Sequence, residues 1–198
     1  MGVAIVEEHS FGLSWVMDEP MARTSHALLD DGRVWLIDPV DEPETMAKVS
    51  ELGKPHAVLQ LLDRHNRDCA SVAARLGVPH LLTPSELPDS PFLVTQVVSR
   101  RRWREVALWW PQPHVLVVAE ALGTAPLFAA GPGLVGVHPI LRLTPPWRLG
   151  AFLPEHLLVG HGPSVHGSDT EAQCRQALTR SRRDIPRVLL KLPSLISR

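Results

Sequence analysis

Apolar residues in this chain come mostly in short runs separated by turn-forming residues, the pattern of many short strands with a few helices between them. Val3 to Val6 and Gly12 to Met17 are runs of strand length. Ser25 to Leu29 and Val34 to Ile37 flank Asp30-Asp31-Gly32, and an Asp-Gly turn between apolar runs predicts a hairpin. Asp38-Pro39 closes its second strand, because proline has no N–H for a ladder. The period then changes. From Asp41 to Gly53, Met46, Val49 and Leu52 step by three, which predicts a helix capped by Asp41 and ended by Gly53. Ala57 to Leu62 reads as a buried strand and Asp68 to Leu76 as a helix with Val72, Ala73 and Leu76 inward. Gly77 ends that helix, and a strand follows.

The second half opens on three more strands, Phe92 to Val98, Val106 to Trp110 and Val115 to Val118. A Pro/Gly-rich passage from Gly123 to Gly150 is long enough to be a functional loop or to carry a short helix. His156 to Val159 gives a last strand. Ser168-Asp169-Thr170-Glu171 reads as a capping box, and Cys174, Ala177, Leu178, Ser181 and Ile185 as the inner stripe of a final helix. Two successive halves, each of strands followed by helix, imply an α/β chain of two sheets with helices outside, one domain over residues 1–198.

Composition narrows the classes. At 44% hydrophobic and 21% charged the chain has an ordinary globular balance, and nineteen dispersed prolines suit rigid turns. A net charge of −1 gives no global field for nucleic acid or an acidic membrane, so neither is an expected partner. No apolar run approaches the roughly 18 residues of a membrane span, and MGVAIVEEHS lacks the features of a signal peptide. The two cysteines, Cys69 and Cys174, form no Cys-x-x-Cys pair. A cytoplasmic protein with reduced thiols is expected.

Four segments carry a resemblance. SHALLDDGRVWLIDPVDEP, HAVLQLLDRHNRDCASVAARLGVP, HVLVVAEALG and HLLVGHGPSVHGSDTEA follow one another in the chain. In that order they resemble the opening hairpin, metal loop, aspartate strand and final Gly-His-Gly-Pro strand of the metallo-β-lactamase superfamily. The resemblance implies a four-layer αββα sandwich. It also implies a loop reading His-x-His-x-Asp-His, whose ligands hold one or two metal ions, usually zinc, that activate water. Here that loop reads Arg64-His65-Asn66-Arg67-Asp68-Cys69. Arg64 and Asn66 stand at the two histidines of the pair, and Arg101, within Arg100 to Arg102, at the next one. Arginine stays charged and offers a metal no lone pair, so the first metal position reads as lost. The second keeps Asp68, Cys69, Glu120 and His161 as a candidate single zinc site, with Asp68 as candidate catalytic group to orient water or accept its proton.

Each residue also has a plainer reading. Asp68 suits a helix N-cap or an arginine partner, Cys69 a small buried hydrophobe, Glu120 an ion pair, and His161 a hydrogen bond inside its turn. His65 either replaces a lost ligand by a one-residue shift or points out of the loop. His26, His138 and His166 read as surface or turn residues. Arg100 to Arg102 and Arg104 suit a solvated sheet edge, and Trp109 and Trp110 the core or a dimer contact. The apolar C-terminus suits docking on the body or on a second subunit, with Pro193 interrupting any helix. Two functions follow. The first expectation is a protein with a degenerate metal site and no cofactor, which binds a small molecule in its cleft or associates as a homodimer. The alternative is a metal-dependent hydrolase with one altered zinc site.

Overall fold

The computed structural model describes residues 2–65 and 67–196, the last six of these as backbone only. Its first sheet has the order β1-β2-β3-β4-β5-β6. The strands are β1 (Val3–His9), β2 (Gly12–Met17), β3 (Thr24–Asp30), β4 (Arg33–Ile37), β5 (Lys54–Gln60) and β6 (His80–Leu82). The predicted hairpin is β3–β4. Asp31 (φ 47°) and Gly32 (φ 73°) take the two left-handed conformations that a tight two-residue turn requires. Helix α1 (Pro43–Leu52) then crosses back so that β5 runs parallel to β4, and α2 (Cys69–Leu76) does the same between β5 and β6. Gly77, at φ 67°, ends α2 as a left-handed cap.

The second sheet has the order β13-β12-β9-β8-β7. It comprises β7 (Leu93–Arg100), β8 (Trp103–Trp110), β9 (Val115–Val118), β12 (His156–Val159) and β13 (Val165–His166). The long connection between β9 and β12 carries a small ladder, β10 (Leu122–Gly123) with β11 (Gly136–Val137), and two short 3-10 turns. Helices α3 (Thr170–Arg180) and α4 (Ile185–Ile196) follow.

The cores explain the layering. Leu28, Trp35 and Leu59 of the first sheet pack against Leu108, Val117 and Leu158 of the second, and Leu116 on that sheet's other face joins Cys174 and Leu178 of α3 in the same cluster. Alternate residues of the first sheet, Trp15, Leu36 and Val58, bury Val49 of α1 and Val72 of α2 on the other face. Each such side chain contributes roughly 1.5–3 kcal/mol relative to exposure. The result is the αββα sandwich. Among the described residues no helix is long and apolar enough to cross a membrane.

Local expectations fail where another partner serves the backbone better. The N-cap of α1 is Glu42, whose carboxylate accepts from Thr45 N at 2.8 Å, while Asp41 pairs with Arg75 of α2 at 2.5 Å. No side-chain cap forms at α3, which is anchored instead by the Thr170 hydroxyl on Glu155 O at 3.0 Å. Ile185 starts its own helix, and the backbone of α4 continues past Pro193. Trp110 is buried on Phe92, and Trp109 is half-buried beside Phe152.

His26 is buried, contrary to its surface reading. Its Nε2 donates to Val159 O at 3.1 Å and so joins the two sheets. Burial pushes its pKa down to about 3. The unfolded chain takes up this proton near pH 6.5 and the folded chain does not. Stability is therefore complete above pH 6.5 and falls as pH drops towards 3. Chemical denaturation should show about 2 kcal/mol lost at pH 5 through this one group, and His26→Gln should flatten that slope.

Candidate metal centre

The strands deliver their polar residues to one edge of the sandwich. Asp38 follows β4, His65 lies in the loop after β5, Glu120 follows β9 and His161 follows β12. Because β9 and β12 are parallel neighbours, with Val118 opposite Val159, Glu120 and His161 emerge side by side. The glycines around His161 are sterically required. A side chain at Gly160 would collide with Ala119 O, and Gly162 holds φ 92° against Thr124.

His65, Glu120 and His161 each offer one ligand atom within 4.8 Å of the others. His65 Nε2 is 3.1 Å and His161 Nε2 is 3.6 Å from the same Glu120 Oε1. The far nitrogens are anchored. His65 Nδ1 lies 3.2 Å from Asp38 Oδ2, and His161 Nδ1 donates to Met21 O at 2.9 Å. Asp38 also accepts from Leu61 N at 3.2 Å, and its backbone sits at φ 44°, an uncommon conformation for a residue with a Cβ. Burial opposes protonation of His65, as does Arg67, but Asp38 and Glu120 outweigh both and raise its pKa. Burial lowers the pKa of His161. Burial alone would raise the Glu120 carboxyl; the neighbouring His161 and His65 rings and the Arg64 guanidinium bring it far below the usual range.

Cations and aromatic rings close the cluster. Arg64 pairs with Glu120 Oε2 and stacks 3.7 Å over the Trp103 ring. Arg67 is half-buried and donates to the carbonyls of Thr24, Asp38 and Gly160, stitching the loop to both sheets. Phe128 stacks on His161 at 5.5 Å. His138 presents Nε2 3.8 Å from Glu120 Oε2, and burial lowers its pKa to about 4. Beneath them, the buried Glu105 Oε1 accepts from the backbone N–H groups of Ala119, Glu120 and Ala121 at 3.1, 2.8 and 2.7 Å.

No protein-family model matches the sequence, and no curated protein does. Solved structures do. The metallo-β-lactamase from Hirschia baltica aligns over 93% of this chain and 98% of its own, with a TM-score of 0.64 at 9% identity. DIM-1 metallo-β-lactamase, exposed to ceftazidime, aligns over 92% and 98%, with a TM-score of 0.61 at 11% identity. TMB-1 aligns over 94% and 98%, with a TM-score of 0.58 at 10% identity. This chain has the metallo-β-lactamase fold. At such identities the likeness speaks for the fold alone.

Within that fold, the expected ligand set is only partly assembled. Glu120 and His161 meet, but Asp68 and Cys69 are not brought to them. Asp68, the residue before α2, accepts from Asp41 N at 2.9 Å. Cys69 points into the core under α1 and α2, where burial pushes its thiol up to about 12. Arg64 does enter the site, whereas Arg101 is exposed in the β7–β8 turn. Asn66 lies outside the described residues. His65, expected to point out of the loop or to replace a lost ligand, is buried at the centre, and His138, a turn residue as expected, caps a short turn and brings its ring to the rim of the site. Asp38 and Glu105 were missed. Their signals are a carboxylate beside proline at a strand end and a lone carboxylate inside an apolar strand. Glu105→Ala should strip the acceptor from three buried N–H groups and from the Trp103 indole. A loss of at least about 3 kcal/mol in denaturant titration is expected.

Proposed function

We propose that this protein is a metal-dependent hydrolase with one zinc ion, held by His65, Glu120 and His161 in place of the larger ligand set its sequence suggests. The observation that carries this is the Nε2 atom of His161, which is buried and has no hydrogen-bond partner among the described residues. Met21 O can only accept, so the neutral ring keeps its proton on Nδ1 and turns a bare lone pair towards the Glu120 carboxylate. Two acceptors facing each other in a dry site call for a cation between them. The spacing suits one: ligands about 2.0–2.1 Å from a tetrahedral zinc lie about 3.3 Å apart, close to the 3.1 and 3.6 Å separations from Glu120 Oε1.

Zinc in such a site lowers the pKa of water towards neutrality and polarises the bond under attack. The chain's own groups set the rest. Asp38 and Met21 O fix the two imidazoles, the orienting role that partners of metal-bound histidines play. Arg64 holds Glu120 Oε2 and leaves Oε1 to face the histidines. Its guanidinium, partly exposed at the rim over Trp103, is placed to attract an anionic group of a substrate.

A second reading rests on the same arginine. Arg64 on Glu120, with His65 bridging Asp38 and Glu120, gives the carboxylates protein cations without any metal. The cleft would then serve a small-molecule ligand or a homodimer. Elemental analysis of protein purified without chelator separates the two. Under the zinc reading, wild type carries about one zinc per chain more than His161→Ala, and zinc-dependent hydrolysis of simple ester or phosphodiester probes falls at least 100-fold in that variant. Equal metal content in both chains, with no such hydrolysis, supports the metal-free reading and overturns ours.

A further inference from the structure

A second group of ligating side chains gathers at the other end of β12. The end of β1 lies against β13, and Glu7, His9 and His166 each place one ligand atom within 4.8 Å of the others. Beside them, His156 at the start of β12 has its Nδ1 2.9 Å from Nδ1 of His166. Glu7 is held in place by Ser164 N, which donates to its Oε2 at 3.2 Å. Packing accounts for part of this cluster, since His9 stacks on Phe11 with ring centroids 5.0 Å apart.

Packing does not account for the hydrogen-bond relay behind His9. Val159 O can only accept, so His26 carries its proton on Nε2 and its Nδ1 accepts the Ser14 hydroxyl at 2.7 Å. The Ser14 oxygen, its one proton committed, accepts from His9 Nε2–H at 3.1 Å. His9 is left with a bare lone pair on Nδ1. A histidine whose other nitrogen is tied down in this way is oriented as metal-ligating histidines are. Burial, then the neighbouring His166, lowers the pKa of His9 to about 4, and burial lowers those of His156 and His166. Neutral imidazole is the form that binds a transition metal.

We propose that Glu7, His9 and His166, with His156 beside them, form a second divalent transition-metal site that clips the edge of the first sheet to β13 of the second. Nitrogen and carboxylate ligands of this kind suit zinc, nickel or copper(II). The inference does not depend on the cleft holding a metal.

Zinc calorimetry on the untagged, metal-stripped full chain carrying His161→Ala, which silences the cleft, tests it. One zinc per chain should bind at micromolar affinity or tighter. Adding His166→Ala at this exposed position should weaken binding at least 100-fold with an unchanged circular dichroism spectrum. Ser14→Ala, which keeps every ligand but frees the His9 ring, should weaken it about tenfold. Should His161→Ala not fold, loss of one zinc equivalent on His166→Ala in the wild-type background carries the same test. No saturable zinc binding, or binding indifferent to His166→Ala, would overturn the proposal.

Discussion

The candidate centre depends on one buried carboxylate. Glu105 sits within β8 with no exposure, and its Oε1 gathers three successive N–H groups where the chain leaves β9. Burial raises its pKa, and donors at Trp103, Ala121 and Glu120 work against that rise. Three donors on one oxygen fix the backbone of the turn, so the direction of Glu120 is set from below before any of its own partners is counted. Beside it, Gly160 N donates to Ala119 O at 3.0 Å and brings His161 level with Glu120. The loop after β5 is fixed separately, through Arg67 on carbonyls of both sheets and Asp38 on His65.

Charge then decides what such a centre holds. Arg64, Arg67 and a protonated His65 are set against the Asp38 and Glu120 carboxylates, with Glu105 behind them. Two unit charges 4 Å apart interact by about 4 kcal/mol at the effective dielectric of a protein site, and a dication doubles that. A second ion beside Arg64 would meet this repulsion, and the nearby His138 has its Nδ1 taken by Ile140 N and its Nε2 protonated, which argues against a two-metal centre. One ion held by Glu120 Oε1 and the two imidazoles would be bound through the carboxylate oxygen that Arg64 leaves free. It would replace the proton on His65 rather than add to it, so the proposed site is compatible with the arginine that occupies its neighbour.

Much of the fold was legible because strand runs, the Asp31-Gly32 turn and the Gly77 cap are local signals, and each encodes one backbone geometry. The caps of α1 and α3 were misread because Glu42 and Thr170 won by contacts that depend on the surrounding chain. The site was legible only where a residue ends a strand, as Glu120 and His161 do. Motif position assigned Asp68 and Cys69 to it, yet a helix starting at Cys69 turns that thiol into the α1–α2 core. His65 takes the inner place because Asp38 and Glu120 face it from two different strands, a convergence that spacing along the loop does not record. The His9–Ser14–His26 relay is of the same kind: its links lie on three adjacent strands of one sheet, and its last acceptor on the other sheet.

The proposed centre stands on the identity of the three ligands in the cleft. Zinc-edge X-ray absorption on the His166→Ala chain, in which the distant histidine cluster is disabled, reads that set directly. The expected first shell is nitrogen and oxygen at about 2.0–2.1 Å, with the outer-shell scattering of two imidazoles and no sulfur. A sulfur shell at about 2.3 Å would place Cys69 on the metal and contradict it.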